Sequence, residues 1–506
     1  MVVMGLESEL GLLGVRPLLT LRERVGHFIL EGIAGSQPHA PGWGSKHRST
    51  LFLANGSAIG LDPPRAVPEL STPECADPFD LAASHRAGLA LIEEAAARTG
   101  ESFGHRLTPL VASTFHQPGE VSLGTHENYG VPTALEPGTL IRGLLTWIAV
   151  RQILTEPGVV TGAPGSNGFA LAPRAELMTR VSGPYTTHDR AIFTTCRLNY
   201  AGRGWRRLHV IAAGATTSSW AIAVRHGVTA LLIELLLRGE SWPDELVLRY
   251  PLRALRTVSV IPEARIATAD GREATALELH ERLLARVTAA HAREPLAPWA
   301  DRLMAEWRRG LEVVARGNEE ETALLLESAL RRRVLTAFLD GAGVDWRAAR
   351  VWADFFDRLH CLVANGEPSP LPATVPAVRR RLGEDLSAAL ERELKLAGFS
   401  WQDYPRFRRV MDRLYSLDVE LSRAGDGLGS RLDDALPEAE RMIPTPQWRA
   451  LMHSPPGGTR AEARGRLIAR HQGAPDLRAS WAGVVAEGRV YDLPSPLSSL
   501  DPAPRA

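Results

Sequence analysis

The chain reads as an α+β protein: one antiparallel sheet covered by helices, with a smaller helical domain towards the C-terminal end. Two patterns point to this. Up to about residue 270, short runs of period-two alternation are interleaved with amphipathic or wholly apolar helical runs. Beyond that point the helical period holds almost throughout.

Residues 2–10 alternate as a strand that puts Glu7 and Glu9 on one face. An amphipathic helix is expected over 18–33, then a polar loop over 34–48. LFLANGSAIGLD (51–62) predicts two strands turning at Asn55-Gly56. Asp77 is placed to cap a helix from Pro78 to about Arg98. Strands are expected at 108–116, 119–125, 168–173, 189–196 and 206–213, and helices at 136–154 and 217–239. The last of these is strongly apolar and should pack beneath the sheet. Further helices are expected at 274–292, 297–315, 319–340, 345–363, 376–396, 402–424 and 459–472. VANGEPSPLPATVP (363–376) reads as a surface linker and PSPLSSLDPAPRA (494–506) as a disordered tail.

The 506 residues suffice for one large and one smaller domain. Lys+Arg and Asp+Glu both total 58, so no net field attracts nucleic acid or an anionic membrane, and neither is an expected partner. Basic charge is almost all arginine; the lysines are Lys46 and Lys395. Cys75, Cys196 and Cys361 show no metal-binding spacing, which points to a reducing cytoplasm. The opening MVVMGLESELG lacks the pattern of a signal peptide. No charge-free apolar run reaches roughly 18 residues, so no transmembrane helix is expected.

Four segments carry chemistry. GLESELG (5–11) sets two carboxylates on one face of an otherwise apolar strand, and buried carboxylates call for a partner such as a hard divalent cation. The plainer reading is a half-exposed strand with a polar face. LDPPRAVPELSTPEC (61–75) supplies Asp62, Glu69 and Glu74, and alone would pass as a turn into a capped helix. SLGTHENYGVP (122–132) brings His126, Glu127 and Asn128, without the H-E-x-x-H spacing of a zinc helix. WRRLHVIAAG (205–214) carries Arg207 and His209 on a buried-looking strand, where a lone histidine is more often a satisfied core residue. Together, carboxylates and histidines on several strands can hold Mg²⁺ while arginines grip phosphate oxygens, an arrangement suited to phosphoryl transfer. Neither a P-loop nor a dinucleotide-binding glycine motif is present.

GLESELG, NGSAIGLD, VPELSTPECADPFD, HRAGLALIEEA, LGTHENY and RRLHVI follow one another in an order that resembles the Pup ligases and Pup deamidase/depupylases. The ending, from LYSLDVELSRAGDGLGSRLDDA through PPGGTRAEARGRLIARH to RASWAGVV, is similar to the small C-terminal domain of that family. The resemblance implies a glutamine-synthetase-like domain binding ATP and Mg²⁺ over 1–400, into which this chain places a helical insertion near 340–400. It further implies a small domain over 401–493, followed by the tail read above over 494–506. It implies ATP-dependent phosphorylation of a glutamate side chain of Pup, followed by attack of a target lysine, or else cleavage of the amide or isopeptide. By matching positions, the resemblance implies that Asp62 is the catalytic aspartate. The same resemblance implies that Glu7, Glu9, Glu69, His126 and His209 line the metal and that Arg174, Arg197 and Arg207 lie near phosphates.

Departures from the family pattern mark a divergent paralogue. The strand after RLHVI continues as AAGATTSSW (212–220), without the usual acid and amide. RLNYAGRGW (197–205) replaces an acidic, His-containing run. STFHQPGEVSLG (113–124) replaces a Lys-Asn-Asn run, and about 50 extra residues fall between 340 and 400. The short connection before LFLANG and the length of the Asp62-to-Glu69 gap lean towards the ligase form. The alternatives are a member that binds or hydrolyses ATP without handling Pup, and a catalytically silent regulatory protein.

Overall fold

The frame of the computed structural model is a nine-stranded sheet. The described residues are 2–14, 19–43, 49–62, 67–113, 123–163, 165–185, 189–194, 201–363 and 371–505. The sheet strands are β1 (Val3–Glu9), β2 (His39–Pro41), β3 (Thr50–Leu53), β4 (Ala58–Asp62), β5 (Val67–Ser71), β6 (Thr125–Pro132), β7 (Arg180–Gly183), β8 (Ala191–Thr194) and β9 (Trp205–Val210). Their spatial order is β7-β8-β9-β6-β1-β5-β4-β3-β2, so β1 lies inside, between β6 and β5. Neighbours run antiparallel except β7 and β8, which are parallel. The sheet is therefore mixed at one edge, a correction to the all-antiparallel expectation. Parallel neighbours usually need a long crossover, but these two strands have only four residues each, and a short return suffices.

Period-two alternation sorts the side chains. Leu6 and Ser8 of β1, Glu127, Tyr129 and Val131 of β6, and Leu208 and Val210 of β9 are buried. Helices α1 (Leu19–Ala34), α2 (Pro78–Phe103), α3 (Pro137–Val150) and α4 (Ser219–Leu237) pack on the sheet or on one another beneath it. Asp77 accepts a hydrogen bond from the Phe79 amide at 2.7 Å and caps α2, which runs past the expected end to Gly104 at φ 66°. The Asn55-Gly56 turn forms as expected: Asn55 Oδ1 accepts from the Ser57 amide at 3.0 Å and Gly56 takes φ 84°. Ser218 caps α4. Among the described residues α4 is the one helix long and apolar enough to cross a membrane, and 89% of its apolar window is buried inside the protein.

One charged pair lies in this core. Glu127 accepts from Arg151 Nη1 at 2.8 Å and from the Tyr129 hydroxyl at 2.6 Å. Burial opposes ionisation of Glu127, but Arg151 outweighs it and holds the carboxyl at about 2. Glu127 therefore belongs to the scaffold, while its neighbours His126 and Asn128 face the other way.

Several expected elements shorten or split. The 108–116 strand is Thr108–Leu110, and that at 168–173 is the two-residue Phe169–Ala170. Most of 119–125, and residues 364–370 of the expected linker, lie outside the described residues. The 319–340 helix divides into Glu319–Ala323 and α5 (Glu327–Gly341). The 376–396 helix breaks at Gly383, whose φ of 79° no helix accommodates.

A second apolar core joins α5 to α6 (Trp346–Val363) and α7 (Tyr404–Glu420) around Trp352, which stacks on Phe407 at 4.8 Å. The sequence reading assigns α7 to the C-terminal domain. Here its aromatic face fills the core of the 340–400 insertion instead.

The C-terminal region combines α8 (Arg460–Arg470) with a three-stranded antiparallel sheet, β10 (Arg478–Ser480), β11 (Gly483–Ala486) and β12 (Arg489–Asp492). These strands are too short for alternation to reveal them in sequence. The tail is also corrected from disordered to attached. Asp501 accepts from Arg466 Nε at 3.0 Å and Arg470 Nη2 at 2.6 Å, and Arg505 exchanges backbone hydrogen bonds with Val490. A Pro/Ser-rich composition signals little burial; it does not reveal these ionic partners.

Candidate active site

Strand register gathers the acids. Glu9 of β1 stands opposite Glu69 of β5, and Glu7 opposite His126 of β6. Asn128 is opposite His209 of β9, and His209 in turn opposite Thr194 of β8. Gly60 faces Glu69, so Asp62, two residues on, points to the same side. Residues paired across antiparallel strands share a face. Asp62, Glu7, Glu9, Glu69, His126, Asn128, Arg207 and His209 thus share the sheet face opposite the covering helices.

Glu7, His126 and His209 offer ligand atoms all within 4.8 Å of one another. Glu7 Oε2 lies 3.4 Å from His126 Nδ1 and 3.8 Å from His209 Nε2, and the two imidazoles meet edge to face at 4.8 Å. Thr194 Oγ1 is 3.0 Å from His209 Nδ1 and fixes the ring, which turns Nε2 towards Glu7. That buried Nε2 has no hydrogen-bond partner among the described residues. Burial, with the charge of Arg207, pushes His209 well below the usual histidine range, so it is a neutral donor. A neutral imidazole with its second nitrogen anchored is the form in which histidine binds metal.

Arg207 compensates part of the negative charge. Its Nη2 donates to Glu7 Oε1 at 2.8 Å and its Nε to Asn128 Oδ1 at 2.5 Å. Burial opposes ionisation of Glu7, but Arg207 and His126 outweigh it and hold the carboxyl far below the ordinary value. Glu69 goes the other way. Burial, then the charges of Glu7, Asp62 and Glu9, raise it well above 4.5. The cluster therefore carries more negative charge than Arg207 neutralises, and a divalent cation fits that donor set.

Glu9 accepts from the Gly124 amide at 2.6 Å. A Cβ at Gly124 would come within 2.4 Å of His126 Nε2 and 2.7 Å of Glu9 Oε1, so the glycine lets both side chains reach the site. Gly124→Ala is expected to weaken divalent-cation binding about ten-fold, because the added methyl displaces the Glu9 and His126 side chains themselves. Titration with Mn²⁺ followed by electron paramagnetic resonance checks this.

The remaining sequence-derived positions differ. Arg174 is buried and donates to the Ile211 carbonyl at 2.9 Å and the Leu123 carbonyl at 2.7 Å, tying the end of β9 to the entry of β6. Burial draws it down to about 10, with the charge of Glu9 opposing. Arg197 lies outside the described residues. Asn128, Thr194 and Gly124 went unassigned in the sequence reading. Only Asn128 left a signal there, through its i+2 spacing from His126.

Beside the cluster runs a groove lined by Glu7, Asn128 and Arg207, by Thr72 and Glu74, and by Arg460, Trp481 and Pro496 of the C-terminal region. Glu74 closes the junction: Arg460 Nε and Arg464 Nη2 donate to it at 2.7 Å each. Burial opposes its ionisation, but Arg464 and Arg460 outweigh it and hold Glu74 at about 2.

Comparison with known proteins gives the same affiliation as the motifs. Residues 30–354 match the family described as Pup-ligase protein. The Pup–protein ligase of Kocuria rhizophila is 31% identical over 369 residues, 68% of this chain and 75% of that protein. The Pup deamidase/depupylase of Mycolicibacterium smegmatis is 32% identical over 309 residues, 60% of this chain and 61% of that protein. In fold, the ligase PafA in the crystal structure of its complex with Pup superimposes with a TM-score of 0.71 at 19% identity, covering 99% of this chain and 89% of that one. With well over half of its length matched, the chain belongs to the Pup-ligase protein family.

Proposed function

We propose that this protein is an ATP- and Mg²⁺-dependent enzyme of the pupylation type, acting in the cytoplasm on a glutamate side chain of Pup or a related modifier. The observation that carries this reading is the convergence of Glu7, His126 and His209, with Glu9, Glu69 and Asp62, on the open sheet face beside the groove.

Glu7, Glu9, Glu69, His126 and His209 would hold Mg²⁺, which when bound supplies positive charge to the phosphate oxygens. The groove takes the nucleotide, its phosphates directed to the end where Arg207 lies. In that arrangement the γ-phosphoryl group passes from ATP to the modifier's glutamate carboxylate, giving ADP and an acyl phosphate. A lysine amine then displaces phosphate to form an isopeptide bond, and Asp62 accepts the proton the amine loses. For the reverse-type chemistry, amide or isopeptide cleavage, Asp62 acts at the same carbonyl. Arg174 holds the strand ends that carry the cluster, and Arg197 is expected beside the phosphates on the family resemblance alone.

A second reading, ATP binding or hydrolysis without Pup, is favoured by one feature. The 212–217 segment, where the family carries an acid and an amide, is buried and directed inwards. The Gly214 amide donates to Glu156 at 2.7 Å, the Ala215 amide to Ser113 Oγ at 2.7 Å, and Thr216 Oγ1 to Glu327 at 2.5 Å.

Incubation with ATP and Mg²⁺, with and without Pup and a lysine-bearing target, separates the two. Pup-dependent ADP release with isopeptide formation or cleavage is the expected result. ADP release indifferent to Pup would transfer the assignment to the second reading. Absence of nucleotide binding by calorimetry would overturn both.

A further inference from the structure

The last residues of the chain do not hang free of the groove. The Leu493 amide donates to the Ala482 carbonyl at 2.7 Å where the chain leaves β12. Pro494 then presses against the 201–204 loop: a Cβ on Gly202, at φ 101°, would sit 2.1 Å from the Pro494 carbonyl oxygen. Two residues later the Pro496 carbonyl accepts from the Arg460 amide at 3.1 Å, and Pro496 lines the groove. Asp501 is gripped by Arg466 and Arg470 of α8, and Arg505 pairs with Val490. The segment is therefore fastened on both sides of the residue that meets the groove.

Arg460 is the common node. Its backbone holds Pro496, its Nη1 donates to the Leu493 carbonyl at 3.4 Å, and its Nε donates to Glu74 at 2.7 Å. One residue thus ties the strap to the loop that follows β5, and through it to the strand that carries Glu69. A wall held in place before the ligand arrives avoids the ordering cost that a loose segment would incur on binding.

We infer that Pro496 is a wall of the nucleotide groove, held there by Arg460 and by the fastened segment 494–505 around it, and that this strap governs nucleotide affinity while leaving the metal cluster intact. The inference rests on the nucleotide reading above. It predicts that affinity for ADP and for divalent metal can be separated, because Glu7, His126 and His209 lie on strands that the strap does not belong to.

The test compares three proteins: the full chain, a chain ending at Leu493, and the full-length Asp501→Asn variant, which loosens one fastening alone. Each is titrated with ADP by calorimetry and with Mn²⁺ by electron paramagnetic resonance. The truncated chain is expected to bind ADP about ten-fold or more weakly, a loss of about 1.4 kcal/mol, with Mn²⁺ binding retained. Asp501→Asn is expected to weaken ADP about two- to three-fold, again with Mn²⁺ retained. Equal ADP affinity in the full and truncated chains overturns the strap and leaves the nucleotide reading standing. If truncation abolishes Mn²⁺ and ADP binding together, Asp501→Asn decides: unchanged ADP affinity overturns the strap, and weakened affinity with intact Mn²⁺ supports it. A full chain that binds no ADP overturns the nucleotide reading and the strap with it.

Discussion

Asp62→Asn is expected to lower turnover by about 10²–10⁴-fold, the range for loss of a positioned general base, while ADP affinity stays within about two-fold. The substitution keeps the size of the side chain and removes its capacity to take a proton. Asp62 closes β4 on the same face as Glu69, and its charge is felt by the Glu69 carboxyl. A loss of that size corresponds to roughly 3–5 kcal/mol of transition-state stabilisation. Single-turnover rates of isopeptide formation or cleavage, beside calorimetry with ADP, check both halves. An unchanged rate constant removes Asp62 from the mechanism. Weakened ADP binding in step with the rate would make it a nucleotide-site residue instead.

Glu69→Gln is expected to act in opposite directions on stability and on metal. Glu69 is half-buried among the charges of Glu7, Asp62 and Glu9, and its carboxyl titrates well above the ordinary 4.5. A folded-state value above the unfolded one means that the native protein binds the extra proton. The metal-free protein therefore loses stability as pH rises from 4.5 through the raised value. Glutamine removes that dependence. With metal chelated at pH 8, the variant should melt higher, by roughly 0.5–2 kcal/mol in stability, and the advantage should vanish towards pH 4. In the same variant divalent-cation affinity should fall about ten- to hundred-fold or more, and turnover with it. Thermal melts across pH in chelator, with Mn²⁺ titrations, test this. A variant that melts no higher at pH 8 would show that Glu69 is not an electrostatic burden on the fold.

Much of the site was written in short-range spacing. GLESELG puts Glu7 and Glu9 on one face because a strand repeats every two residues, and the same rule aligns His126 with Asn128 and Arg207 with His209. The Asn55-Gly56 turn and the Asp77 cap were legible for the same reason, since each is satisfied within a few residues. The direction of β7 against β8 was not, because periodicity carries no sign of strand polarity. The break at Gly383 was not either, because composition does not show which glycine takes a positive φ, and β10–β12 are too short to alternate visibly. His209 was ambiguous as a lone histidine on an apolar strand. Its role turned on Thr194 and Glu7, one anchoring Nδ1 and the other facing Nε2.

By itself the sequence determined which faces the acidic and imidazole side chains occupy, where the strong turns and caps fall, and which family the motifs resemble. Only the tertiary structure decided that β1 lies between β5 and β6, so that Glu9 meets Glu69 and Glu7 meets His126. It alone decided that Arg207 is committed to Glu7 and that the tail closes on Arg460. Alternation is local, fixed by the backbone of each strand. Register between distant strands is set by which pairing buries the most apolar surface on the helix side, and that choice belongs to the whole chain.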